Sequence, residues 1–315
     1  MIALPVPRDP LLARIGQTPL VELPNCSPKP GIRIFAKLEW FNPTGSVKDR
    51  VAWFMVEEAE ERRALHPGAT IIEATTGNTG IALAFAGRRK GYRVKTVVPD
   101  NAMPEIRELL EAHGAEVVWG PAGEGTRGAI TLAKRLAAEE GYFLPDQFSN
   151  PANVQAHYLT TGPEVLDSLP QVDVFVSGMG TGGTITGVGR RLREHNPGVK
   201  LVAIEPHLGN QLQGLKTLQD GFIPPILDLG QLDGKILVYA KDAFFWTREL
   251  ARREGLFGGL SSGAALYGAL KWAQRMERGN IVVLFADGGW KYLSTGLWRN
   301  PGIDSREGLD DTVWW

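Results

Sequence analysis

FNPTGSVKDR, residues 41–50, runs from turn-forming residues straight into a helix. Asn, Pro, Thr, Gly and Ser favour turns and helix caps. Beyond them Val51, Phe54, Met55 and Ala59 make one apolar stripe with charges opposite, which predicts a helix over 51–63 opened by Lys48 and Asp49. A lysine in a first turn opposes the helix dipole by about 0.3–1 kcal/mol, so helix stability alone disfavours it. The same field lowers its pKa, and a lysine so perturbed suits Schiff-base chemistry. The plain alternative for Lys48 and Asp49 is an exposed ion pair.

Outward from this stretch, short β-rich runs alternate with longer stretches of helical period, the pattern of a parallel α/β architecture. Expected strands cover 32–39, 69–74, 93–99, 115–120, 172–178, 200–206 and 280–287. A helix is expected over 126–140, with Ile130, Leu132 and Leu136 on its apolar face. LPDQFSNPANVQ, 144–155, carries two prolines and ends one series of strands and helices, so a lobe boundary is expected there.

Three glycine-rich loops follow predicted strands or open predicted helices. GMGTGG, 178–183, precedes a helix expected from Thr184, where free N–H groups and the dipole favour a phosphate. It also has dinucleotide-fingerprint spacing, with Glu205 closing the next strand; some phosphate is the favoured reading and a plain tight turn the alternative. GLSSG, 259–263, has the spacing of a nucleophile elbow, but that fold needs a histidine after the serine and the last one here is His207. Ser261 or Ser262 then caps the following apolar helix, with Ser261 presenting a hydroxyl at its start. TTGNTG, 75–80, concentrates hydroxyls, an amide and backbone N–H groups at a helix start, a receptor for a carboxylate. A cap alone needs only Thr76 or Asn78.

Composition narrows the classes. The chain's 315 residues are 43% hydrophobic, enough for two lobes, and 34 basic against 35 acidic residues leave no nucleic-acid or membrane footprint. No apolar run nears the ~20 residues of a membrane span, and the start lacks signal-peptide character, so a cytoplasmic protein is expected. The one cysteine, Cys26, lies in PNCSPKPG and reads as an incidental surface thiol. The five histidines have no metal-ligand spacing, so no metal is expected. The closing Val313, Trp314 and Trp315 read either as a disordered tail or as a segment docked on the body or a neighbouring subunit.

Taken together and in order, PTGSVKDR (43–50), TTGNTGIALA (75–84), GTGGT (180–184) and GLSSGAA (259–265) resemble the cysteine synthases, pyridoxal-phosphate enzymes of the tryptophan-synthase β-subunit fold type. DQFSNPAN (146–153), HYLTTGPE (157–164) and WKYLSTG (290–296) make the chain most similar to the cysteine synthase B branch, with features of its mycobacterial, O-phosphoserine-using members. The resemblance implies a two-lobed, three-layer α/β fold of mostly parallel twisted sheets, known as fold type II. A smaller mobile lobe would span 41–150, a larger one 1–40 and 151–302, and a tail 303–315. It implies pyridoxal 5′-phosphate held by Lys48 as an internal aldimine, with Asn78 on the 3′-oxygen, Gly180, Thr181, Gly182, Gly183 and Thr184 on the phosphate, and Ser261 facing the pyridine nitrogen. Thr75, Thr76, Gly77, Thr79 and Gln147 would grip the substrate carboxylate. Lys48 would move the Cα proton, and an α-aminoacrylate would accept a sulfur nucleophile to give L-cysteine. A neutral serine partner, unlike an aspartate, leaves the ring a moderate electron sink. Asp287, at the end of a predicted strand, is a competitor for that place.

The chain departs from its branch where substrate is chosen. Lys216 stands where the O-phosphoserine users carry an arginine, keeping a charge but losing the bidentate fork. Thr217 and Leu218 lack the arginine and tryptophan of thiosulfate users. O-acetyl- or O-phosphoserine, and sulfide, thiosulfate or a sulfur-carrier protein, all stay open as partners, and a homodimer is implied. Cystathionine synthesis and serine or threonine dehydration are the alternatives within the fold. A dehydrogenase built on GMGTGG and Glu205 leaves FNPTGSVKDR and TTGNTG unexplained.

Overall fold

The computed structural model describes residues 9–299 other than 101 and 211, so the C-terminal tryptophans lie outside the described residues. A short strand, β1 (Leu20–Glu22), pairs antiparallel with β2 (Ile32–Leu38). Helices and strands then alternate: α1 (Lys48–Glu61), β3 (Thr70–Ala74), α2 (Asn78–Lys90), β4 (Arg93–Val98), α3 (Pro104–Ala112), β5 (Glu116–Trp119) and α4 (Gly125–Glu140). α5 (Pro151–Ala156), a π-helical turn (His157–Thr161) and α6 (Gly162–Ser168) run on without a break. The chain continues through β6 (Val174–Gly178), α7 (Gly183–His195), β7 (Lys200–Pro206), β8 (Gly234–Val238), α8 (Ala240–Glu254), α9 (Leu260–Ala273) and β9 (Gly279–Phe285).

These strands form two sheets. β3, β4 and β5 make a parallel three-stranded sheet, while the order β1-β2-β9-β6-β7-β8 makes a six-stranded one, parallel beyond β1. Successive side chains on a strand point to opposite faces, so alternate residues join different cores. Val174, Val176, Ile281 and Val283 share a core with Leu260, Leu266 and Ala269 of α9. Phe175, Val282 and Leu284 join Ile185, Val188 and Leu192 of α7 instead. In the small sheet Ile72, Ala74 and Val97 meet Ala129 and Ala133 of α4, whereas Ile71 and Val98 share the core of Ile81, Ile106 and Leu110. Each sheet is thus the middle of three layers, and each buried Val, Leu, Ile or Phe among these stabilises it by roughly 1.5–3 kcal/mol over exposure.

All the expected strands are present, each within two residues of its expected bounds. β1 is too short to show a period and β8 is an edge strand after a long irregular stretch, which is why neither was legible. One reading needs correction and one alternative falls away. Cys26 is buried at 2% exposure, because the turn Pro24–Cys26 folds inward, and burial together with Glu254 pushes its thiol up to about 12. Asp49 is no exposed partner of Lys48. It is buried, accepts hydrogen bonds from the Thr44 N–H (2.6 Å) and hydroxyl, and closes the loop ahead of α1. Among the described residues no helix is long and apolar enough to cross a membrane.

A buried ionic cluster fixes α1 against the large sheet. Arg50 donates to Glu39 (2.7 Å) and Glu164 (2.6 Å), and Lys37 of β2 donates to Glu164 (2.7 Å). Arg50, Lys37 and Glu39 are fully buried, so these charges are held in place by one another rather than by water.

Candidate active site

The loop 41–47 fixes the start of α1, and so the place of Lys48. Asn42 accepts from the Gly16 N–H (2.8 Å) and donates to the Glu39 backbone and carboxylate. Gly45 has φ +78°, a left-handed conformation open to glycine, and a Cβ there would lie 2.8 Å from Trp290. The Val47 N–H donates to Ala286 O at the end of β9 (2.8 Å), and Ser46 bridges to Asp287. Lys48 is therefore anchored to the C-terminal edge of the large sheet, where open α/β sheets place their ligands. Burial is the main cause that pushes its amine down to about 8, with Glu73 opposing. Desolvation, more than the helix end invoked from sequence, perturbs this lysine.

Lys48 lines a cavity of about 530 Å³ shared by both sheets' loops. Thr75, Thr76, Asn78, Thr79, Gln147, Gly180, Thr181, Gly182, Thr184, Lys216 and Ser261 also line it. The structure thus gathers residues that lie far apart in sequence. Gly77 and Gly183 are not part of the lining; each instead shapes a helix start. Gly77 caps α2 with φ +153°. Gly183 opens α7 one residue earlier than expected, and a Cβ on it would fall 2.1 Å from Asn153 Oδ1.

TTGNTG serves its helix differently from the sequence reading. Thr75 Oγ1, not Thr76 or Asn78, accepts from the Gly77 (2.9 Å) and Gly80 (3.2 Å) N–H groups. Thr79 donates to Gln147 Oε1 (2.6 Å), and Gln147 Nε2 donates to Ala74 O (3.1 Å), so loop 144–155 is bound directly to the small sheet. Beneath them Glu73 is buried and accepts from the Gln147 N–H (3.3 Å); burial pushes its carboxyl up to about 8.

At the other end of the cavity, Gly182 takes φ +83° and the first turn of α7 presents its N–H groups. Asn153 donates to Thr181 Oγ1 (2.9 Å) and to Gln147 O (2.8 Å), joining the glycine loop to the carboxylate loop. His157, in the π-turn, contacts Thr161 (2.9 Å) and Thr184 (3.2 Å), and burial lowers its pKa so that it is neutral. α9 is capped by Gly259 without a side-chain bond, so Ser261 and Ser262 lie inside the first turn rather than capping it. Asp287 also lines the cavity and accepts from Asn78 Nδ2 (2.7 Å) and the Tyr292 hydroxyl.

Glu73, Asn153, His157, Lys291 and Tyr292 were missed from sequence. Asn153, His157, Lys291 and Tyr292 sit inside quoted motifs, DQFSNPAN, HYLTTGPE and WKYLSTG, and that position was their only signal. Glu73 follows a predicted strand's apolar run, where a lone carboxylate is the available clue.

A primary amine pushed toward neutrality, an anion cradle at a helix start and a buried hydroxyl meet in one cavity, a set that fits pyridoxal phosphate. The comparisons agree. A family model described as pyridoxal-phosphate dependent enzyme matches residues 11–287, and the chain belongs to that family. It is 44% identical to a cysteine synthase of Staphylococcus aureus over 302 residues, covering 93% of this chain and 97% of that one. It is 44% identical to cysteine synthase B of Escherichia coli over 296 residues, covering 94% and 98%. A solved O-ureido-L-serine synthase superposes with a TM-score of 0.88 at 39% identity, covering 96% and 98%.

Proposed function

We propose that this enzyme is a cysteine synthase, replacing the β-substituent of an activated L-serine with a sulfur nucleophile to give L-cysteine. The observation that carries the reading is the meeting of Lys48, Ser261, the glycine loop and the carboxylate loop around one cavity. Pyridoxal phosphate, when bound, withdraws electrons from the substrate Cα and makes its proton acidic. Lys48 holds that cofactor and, with an amine pushed down to about 8, takes the Cα proton and returns it. Gly180 to Thr184 bind the phosphate through backbone N–H groups and the Thr181 and Thr184 hydroxyls. Ser261 offers a neutral hydroxyl to the ring nitrogen. Thr75, Thr76, Thr79 and Gln147 orient the substrate carboxylate, with Gly77 shaping the helix start behind them and Gln147 braced by Thr79 and Ala74.

Lys216 supports O-phosphoserine as the activated serine. It lines the cavity, its ammonium lies 5.4 Å from the Phe148 ring centre, and among the described residues it has no carboxylate in ion-pair contact. Burial lowers its pKa, with Asp220 opposing, so a dianionic leaving group supplies the counter-charge it lacks. The lobes proposed are 41–150 against 1–40 with 151–302, working as a cytoplasmic homodimer with sulfide or a sulfur-carrier protein as donor. Product analysis with sulfide and with homocysteine tests the reaction. Cysteine from sulfide supports it; cystathionine formed in preference, or keto acid without either, overturns it.

A further inference from the structure

Asn78, the first residue of α2, has a charge on each side of its carboxamide. Its Nδ2 donates to Asp287 Oδ2 (2.7 Å) and its Oδ1 accepts from Lys291 Nζ (2.6 Å). Lys291 is 1% exposed and comes from the 3-10 segment Gly289–Thr295, just beyond β9. Asn78, Asp287 and Tyr292 line the cavity, whereas Lys291 does not. We propose that Lys291 and Asp287 are positioning residues that clamp the Asn78 carboxamide in one orientation, and through it hold the cofactor ring.

An amide has two nearly isosteric orientations, with O and N exchanged. Here the exchange would turn Oδ1 toward a carboxylate and Nδ2 toward an ammonium, replacing two charge-assisted hydrogen bonds with two repulsions. The clamp fixes which end of the carboxamide carries its N–H donors, with Nδ2 on the side of Asp287 and Tyr292. Tyr292 strengthens the arrangement by donating to the same Asp287 oxygen. Lys291 also faces Asp49 of α1, so its charge compensates two buried carboxylates while it holds the amide. Lys291 lies outside the cavity, and its hydrogen bond into the lining is the one to Asn78. The inference rests on the cavity being the pyridoxal-phosphate site.

The test uses the holoenzyme and its reconstituted apo-form, with Lys291→Met and Lys291→Arg made in the native and the Asn78→Ala backgrounds. Visible absorption of the bound cofactor and its dissociation constant, from fluorescence titration, are the readouts. In the native background Lys291→Met is expected to shift the band and to weaken cofactor binding about tenfold, the order of a lost hydrogen bond to a charged group. Lys291→Arg restores both. In the Asn78→Ala background Lys291→Met changes neither. Equal changes in both backgrounds, or a lower melting temperature with an unaltered band and affinity, overturn the clamp. Should Lys291→Met fail to fold, Asp287→Asn is read in the same two backgrounds with the same expectation. Absence of any visible band from native protein given pyridoxal phosphate would instead overturn the cofactor site itself.

Discussion

Arg50 of α1 and Glu164 of α6 meet at 2.6 Å, although 114 positions separate them in the chain. Burial works to raise the Glu164 carboxyl, yet the bonds from Arg50 and Lys37 hold it down to about 2. Its folded value thus lies below the ordinary 4.5, so its contribution to stability is complete above pH 4.5 and is lost as the pH falls toward 2. Glu164→Gln leaves Arg50 and Lys37 buried with less compensation, and should cost about 3–5 kcal/mol at neutral pH. Urea unfolding across the acid range measures both. A loss under about 1 kcal/mol, as for a surface pair, would contradict the account.

Glu73 titrates in the opposite sense. Burial pushes its carboxyl up to about 8 from an ordinary 4.5, so the folded protein binds the extra proton between those values. Stability from this group is present below 4.5 and declines as the pH rises through 8. Glu73→Gln should flatten that decline in apo-protein unfolding curves. An unchanged slope would show that Glu73 is ionised throughout.

Gly183→Ala should weaken cofactor binding. Its Cβ would fall 2.1 Å from Asn153 Oδ1, and the same asparagine holds Thr181 through its nitrogen at 2.9 Å. Displacing Asn153 therefore releases the glycine loop. Cofactor affinity is expected to fall at least about tenfold, and Asn153→Ala, which removes the same bond to Thr181, should lower it comparably. Full cofactor content in Gly183→Ala would refute the role given to this loop.

Lys216→Met should separate the two activated serines. Losing its ammonium removes a charge-assisted contact from a phosphate leaving group, so KM for O-phosphoserine should rise at least about tenfold while that for O-acetylserine changes little. Steady-state kinetics with each substrate decide it. Equal effects on both would place Lys216 outside leaving-group recognition.

What the sequence made legible follows local physics. Turn residues before Lys48 announced its helix, and glycines before Thr184 announced a tight loop opening α7, because both signals lie within a few residues. The alternating strands announced the sheets for the same reason. Thr75 as the acceptor for the Gly77 and Gly80 N–H groups, Asn153 as the link between two loops and Lys291 as a neighbour of Asn78 depend on contacts made only after folding; Lys291 and Asn78 are 213 positions apart. Local polarity reads Cys26 as a surface thiol and leaves an exposed Asp49 open as an alternative, because it says nothing of which side of a turn faces the core.

The most direct measurement of the central claim is the visible absorption spectrum of the purified protein as O-acetylserine and O-phosphoserine are added separately. The account predicts a cofactor band before addition and a red shift with at least one of them, which establishes the cofactor and the elimination half of the reaction together. A band that neither compound changes would contradict a cysteine synthase and leave another substrate of the same fold in its place.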